Sequence, residues 1–220
     1  MILRAAFLAA TAALAALASA ACHDTSVSSC FDPGVAGYEF NPPGDTNGVF
    51  HWPASYLPVR VYAEPVAQLQ QNADSAMRLW VNAFRCRELS MQRVADSTTA
   101  DIVIRNPVAL PAPAAALRFA ADSVGACTGR TDVSIDAQNR IERPIRSYVA
   151  PQNLDTAAVS ACYHFVVAHE LGHALGLFQH SSDPGDLMYP VPRRRALSAA
   201  DRFTIQILYN TPPTMAPTPR

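Results

Sequence analysis

Neither sign of charge dominates this chain: 17 Lys and Arg face 18 Asp and Glu, a formal net charge of -1 over 220 residues. Nothing electrostatic therefore favours nucleic acid or an anionic membrane surface as a partner. The Arg193-Arg194-Arg195 run is too short to change that and reads as a solvated loop. Also missing is an uninterrupted apolar stretch of about 20 residues with a charged stop behind it, which a membrane-spanning helix needs. There is no internal repeat at solenoid periods. Scattered acidic residues such as Asp132 and Asp136 form no calcium loop, so calcium is not indicated. What is present is a hydrophobic half (50%), enough at this length to bury the core of one domain.

The first residues, MILRAAFLAATAALAALASAAC, place a basic Arg4 before an apolar stretch from Ala5 to Leu17 and a patch of small residues. That is the layout of a secretory signal peptide over 1–21, to be left out of the fold. Ala18-Ser19-Ala20 fits an ordinary cleavage site, whereas Ser19-Ala20-Ala21-Cys22 resembles a bacterial lipoprotein box. Five cysteines, Cys22, Cys30, Cys86, Cys127 and Cys162, are an odd number for an exported protein. Lipidation at Cys22 leaves four, enough for two disulfides of undetermined pairing. The expectation is an exported protein, either an envelope lipoprotein or secreted, touching the membrane only through such an anchor.

Residues 22–50 are rich in Gly, Pro, Asp and Asn and read as a spacer. A folded domain is expected over 51–210. Alternation predicts strands over 57–63, 89–94 and 101–105, and an edge strand over Thr131–Ile135. Leu69, Ala73, Ala76, Met77, Trp80 and Phe84 recur at helical spacing, predicting a helix over 66–86 with Trp80 in the core. Pro107, Pro111 and Pro113 exclude regular structure around them. A second helix starts after Asn153, capped by Asp155 or Thr156, and stops at Gly176. A third runs from Ser198 to Tyr209, announced by the capping pattern of Ser198 and Asp201. The tail over 211–220 is proline-rich and reads as unstructured. Helices and strands mix without strict alternation, so the class is α+β.

The chemistry concentrates in HELGHALGLFQH, residues 169–180. Residues four apart share a helix face, so His169 and His173 can present nitrogens to one metal ion. Glu170 stands beside that ion, where it can take a proton from an activated water and deliver it to a leaving amine. Zinc needs a third protein ligand, and the helix must end to bring one back; Gly176 suits a left-handed stop. The pattern H-E-x-x-H-x-x-G-x-x-H puts that ligand at Gln179, yet the histidine comes one residue later, at His180. An imidazole is the better donor, so His180 is the expected ligand and one of Leu177, Phe178 or Gln179 an accommodated insertion. His164 lies about 140° round the helix from His169 and reads as a surface or hydrogen-bonded residue. Cys162 shares the face of His169 and is expected in the core or a disulfide. His23 and His51 carry no supporting pattern.

The stretch HELGHALGLFQHSSDPGDLMYP resembles the metzincin clan of zinc endopeptidases, and its matrixin branch most of all. Aligned on His180, the residues Ser181, Asp183, Pro184, Leu187, Met188, Tyr189 and Pro190 fall in the family's register. LSAADRFTIQILY is similar to the closing helix, and the Trp80 helix and ADIVI match more weakly. The resemblance implies a twisted, mostly parallel five-stranded sheet, two backing helices and a small C-terminal subdomain with one helix. It implies Met188 as an apolar floor under a zinc ion, and Met188, Tyr189 and Pro190 as the substrate pocket. Pro192 stands where matrixins have tyrosine and offers no N–H to a bound peptide. Between His51 and His164 there is no histidine for a second zinc, so a single zinc is expected. The function expected is peptide-bond hydrolysis on a protein or peptide substrate. The alternative is a catalytically silent zinc-binding envelope protein that uses the fold for adhesion or assembly, against which the intact Glu170 argues.

Overall fold

A computed structural model describes residues 36–112, 117–121, 127–151 and 156–220, the strand at 117–121 by its backbone. Residues 1–21, read as a signal peptide, and Cys22, His23 and Cys30 lie outside the described residues. Strands β1 (Val59–Ala63), β2 (Met91–Val94), β3 (Ile102–Arg105), β4 (Leu117–Ala121), β5 (Cys127–Val133) and β7 (Ile145–Pro151) form one sheet in the order β2-β1-β3-β7-β5-β4. The first four in that order run parallel, and β5 is antiparallel to both β7 and β4. The mostly parallel sheet implied by the sequence is present, and β4 extends it to six strands.

β5 departs from expectation. Read as an edge strand over 131–135, it starts at Cys127 and lies between β4 and β7, paired on both sides. The visible alternation of TDVSI covered only its far end. β7 was not anticipated either: Ile145, Ser147 and Val149 form its buried face, and the serine interrupts the apolar pattern that marks a strand.

Helix α1 (Ala67–Val81) buries the face its spacing predicted, Leu69, Ala73, Ala76, Met77 and Trp80, and stops five residues before the expected end at 86. Trp80 donates its indole N–H to the Ala168 carbonyl at 2.8 Å, joining α1 to the central helix α2 (Thr156–Ala174). α2 has no exposed face over its last turns; Val166, Val167, Ala168 and Leu171 are all buried, as befits a helix covered on every side. Its start agrees with the sequence, while Asp155 lies outside the described residues. Helix α3 (Ala199–Asn210) opens with the predicted capping box: Ser198 accepts from Asp201 N–H, and the Asp201 carboxylate accepts from Ser198 N–H.

Both flanking segments pack onto this body. Phe50 and Met215 are buried and bridged to each other, and Val49 O accepts Thr214 and Met215 N–H. In the tail read as unstructured, β8 (Ala216–Pro217) pairs with β6 (Arg140–Ile141), and Arg220 reaches buried Asp101 at 2.8 Å. Tyr38, within the stretch read as spacer, donates its hydroxyl to Asp201 and its N–H to Thr204. Single large side chains, too sparse for periodicity, do this anchoring.

One of the expected disulfides joins Cys127 at the start of β5 to Cys162 on α2, and Cys86 is disulfide-bonded as well. The Cys127–Cys162 loop spans 35 residues, worth roughly 2–4 kcal/mol by restricting the unfolded chain.

Candidate metal centre

The last two turns of α2 carry His169 and His173 on one face, both wholly buried. α2 ends at Ala174, and Gly176 just beyond it has a left-handed φ of 111°; a Cβ there would lie 2.0 Å from the Phe50 carbonyl oxygen, so only glycine fits. Beyond that turn the chain reverses and brings half-buried His180 back to the helix. The three Nε2 atoms converge at 3.1 Å (169–173), 3.2 Å (173–180) and 3.3 Å (169–180). Tetrahedral zinc with Zn–N bonds of about 2.0–2.1 Å sets its nitrogens roughly 3.3 Å apart, so the trio fits that ion closely. Among the described residues it is the one group of three or more His, Cys, Asp or Glu arranged to hold a metal.

The outer nitrogens fix the inner ones. His169 Nδ1–H donates to Leu187 O at 2.9 Å and His173 Nδ1–H to Leu177 O at 2.6 Å, which turns each Nε2 lone pair toward the centre. Burial, reinforced by the His180 ring, pushes the His169 imidazole down to about 3. Burial, then His169 and His180, holds His173 well below its ordinary 6.5. At neutral pH the two wholly buried rings are therefore uncharged, the form that binds metal.

Leu187, whose carbonyl accepts the His169 ring N–H, and Met188 come next along the returning chain. Their N–H groups donate to buried Asp201 at 2.8 and 3.3 Å, and Ser181 closes the loop through its N–H to Met188 O and its hydroxyl to Asp186. Met188 is buried against Gly172, where a Cβ would stand 2.5 Å from its sulfur and 2.7 Å from Trp80. A glycine between the two helical histidines thus lets the methionine approach the helix. Tyr189 and Pro190 follow directly, half-buried.

Glu170, next to His169, reaches β5 of the sheet. It is wholly buried, and its Oε2 accepts the Thr131 hydroxyl of β5 at 2.7 Å. The sequence pointed to the glutamate but not to Thr131 or to Ser147 of β7, since neither stands in a motif.

The remaining candidates fall outside the centre. His164 packs on Phe165, with Arg195 over the same ring, and its imidazole is held low by burial and Arg195. His51 bonds Thr211 O through Nε2, and Cys162 is in its disulfide. Asp132 and Asp136 pair with Arg130 and Arg140.

Comparison with known proteins supports the same reading of this region. Residues 119–210 match the family described as Matrixin. Stromelysin-3 of Xenopus laevis is 53% identical over 60 residues, 25% of this chain and 12% of that protein. Macrophage metalloelastase of Rattus norvegicus is 48% identical over 52 residues, 21% of this chain and 11% of that protein. Stromelysin-1 of Equus caballus is 50% identical over 54 residues, 22% and 11% respectively. The chain thus spans about a tenth of the length of these relatives. The region that holds the three histidines is thus similar to the matrixins.

Proposed function

We propose that the chain is a zinc-dependent endopeptidase acting on protein or peptide substrates, with His169, His173 and His180 as ligands of one zinc ion and Glu170 as general base and then acid. The observation that carries this reading is the convergence of three imidazole nitrogens at the spacing a tetrahedral ion requires, with a buried carboxylate one residue along the same helix.

A zinc ion held there supplies Lewis acidity and lowers the pKa of a water to about 7. The Nδ1–H bonds to Leu187 and Leu177 orient the ligand rings. Glu170 accepts the proton of the attacking water on its carboxylate and gives it to the leaving amine as the peptide bond breaks. Met188 keeps the space beneath the rings dry. Tyr189 and Pro190 wall the pocket for the side chain after the scissile bond, while Pro192 offers no N–H to a substrate strand.

Export follows from the same sequence reading, and the Cys127–Cys162 disulfide is in keeping with an oxidising compartment. Among the described residues no helix is long and apolar enough to cross a membrane. Mass spectrometry of the mature N-terminus tests the lipid on Cys22; an unmodified Cys22 ends that part of the proposal.

Casein or quenched-peptide hydrolysis by the purified chain, with and without chelator and beside Glu170→Ala, tests the activity. The expected result is cleavage that chelator abolishes and that the variant loses while keeping one zinc. Bound zinc with no cleavage by the wild type would favour the silent envelope protein instead.

A further inference from the structure

Glu170 meets the sheet at a spot unlike the rest of that interface. On the α2-facing side of β5 stand Gly129 and Thr131, two residues apart, and Ser147 of β7 is the register partner of Thr131. Elsewhere under α2 the sheet offers apolar residues such as Val133 and Val149. At this one place it offers a missing side chain and two hydroxyls.

Each of the three has a distinct relation to the carboxylate. Thr131 Oγ1 lies 2.7 Å from Glu170 Oε2 and 3.1 Å from the Glu170 carbonyl; with one proton to give, it serves the shorter, charged contact. Ser147 Oγ lies 2.9 Å from Thr131 Oγ1 and can donate to it, polarising the threonine O–H toward the glutamate. Gly129 faces the other carboxylate oxygen: a Cβ built there would be 2.2 Å from Oε1 and 2.3 Å from Val166. Thr131 and Ser147 are wholly buried, so no solvent competes for these bonds. An apolar core has no use for such an arrangement, because two buried hydroxyls and an open Cα lose packing contacts unless a polar group fills the space.

We propose that Thr131 is a positioning residue for Glu170, backed by Ser147, and that Gly129 is kept free of a side chain so that the carboxylate can occupy this seat. One oxygen is fixed by the threonine and the other is left over the glycine. The inference rests on the endopeptidase reading for its kinetic consequence but not for the seat itself.

The test uses the full chain and two readouts. Thr131→Val should lower kcat about 10–100-fold, the usual loss on removing an orienting partner, with KM and zinc content little changed. Thr131→Ser, which keeps the hydroxyl, should recover most of that loss. Gly129→Ala should also lower kcat, by pressing on the carboxylate from the other side, and Ser147→Ala should do so more weakly. In the zinc-free protein, the infrared carboxylate stretch assigned by difference against Glu170→Gln should move in Thr131→Val and return in Thr131→Ser. An unmoved band, a kcat equal to wild type, or a Thr131→Ser as impaired as Thr131→Val overturns the inference while the protease reading stands. If wild type cleaves nothing, that reading fails and the infrared bands alone decide the seat. If Thr131→Val does not fold, Ser147→Ala and Thr131→Ser carry the same infrared comparison.

Discussion

Asp101 and Glu170 are both wholly buried carboxylates, and their surroundings have little in common. Asp101, just before β3, meets three guanidiniums: Arg143 at 2.7 Å, Arg220 at 2.8 Å and Arg60 at 3.4 Å. Glu170 is held by a threonine hydroxyl with a serine behind it. Protonating Asp101 would take from three guanidiniums the anion they share. The first carboxylate ties β1, β3 and the tail together through cations; the second is seated on neutral hydroxyls. Burial alone does not tell a scaffold acid from a working one, whereas the partner does.

The contrast breaks most sharply if Glu170→Gln behaves like a structural variant. We expect it to cost roughly 10²–10⁴-fold in hydrolysis, the usual worth of a general acid–base, with an unchanged urea midpoint. A large fall in the midpoint with activity preserved per folded molecule would reverse the roles. Asp101→Ala should do the opposite, destabilising the chain by about 3 kcal/mol because three arginines lose their shared partner, while the folded fraction keeps its turnover. Equilibrium denaturation and active-site-normalised rates separate the two effects.

Acid should reach the two regions in sequence. The folded-state values of His169 and His173 are depressed below 6.5, so the unfolded chain binds protons first as pH falls. The stability of the metal-free protein should therefore be complete above about 6.5 and drain as pH falls, for His169 down to about 3, by up to about 1.4 kcal/mol per pH unit for each ring that takes up a proton. For Asp101, burial pushes the carboxyl up but its bonds to Arg220 and Arg60 outweigh it, and it ends below 3.8. Its contribution is present above about pH 4 and is lost only as pH falls through that lower value. Urea midpoints at pH 7, 5.5 and 4 check the order; a flat profile down to pH 5 would contradict it. The smallest effect should come from Arg220→Ala, whose partly exposed pair is worth about 1 kcal/mol or less. Hydrogen exchange at Thr218, whose N–H bonds Ile141 O, should quicken nonetheless.

The legible parts of the molecule were those where one short rule sufficed. Helical spacing exposed the buried face of α1, a Ser-to-Asp pair announced α3, and four-residue spacing put His169 beside His173. The parts that escaped depend on partners far away in the chain. Ser147 looks like a break in a strand until Thr131 is seen opposite it, and Thr131 looks like the first residue of an edge strand until Glu170 is seen above. The tail reads as loose because Pro212, Pro213, Pro217 and Pro219 exclude a helix, yet a short strand, buried Met215 and Arg220 need no helix to dock. Tyr38 and Phe50 sit among turn residues, and their anchoring is visible only once Asp201 and Met215 face them.

The peptide unit between Leu187 and Met188 is shared property. Its carbonyl receives His169 Nδ1–H, and its N–H leans on Asp201, which also takes the Tyr38 hydroxyl. Whatever grips His169 from the other side therefore tugs on a rope whose far ends are α3 and the segment around Tyr38. Loading the centre should tighten those distant places, and a chain that has lost its ion should first become vulnerable to nicking near residue 38, advertising its emptiness to whichever protease clears damaged copies.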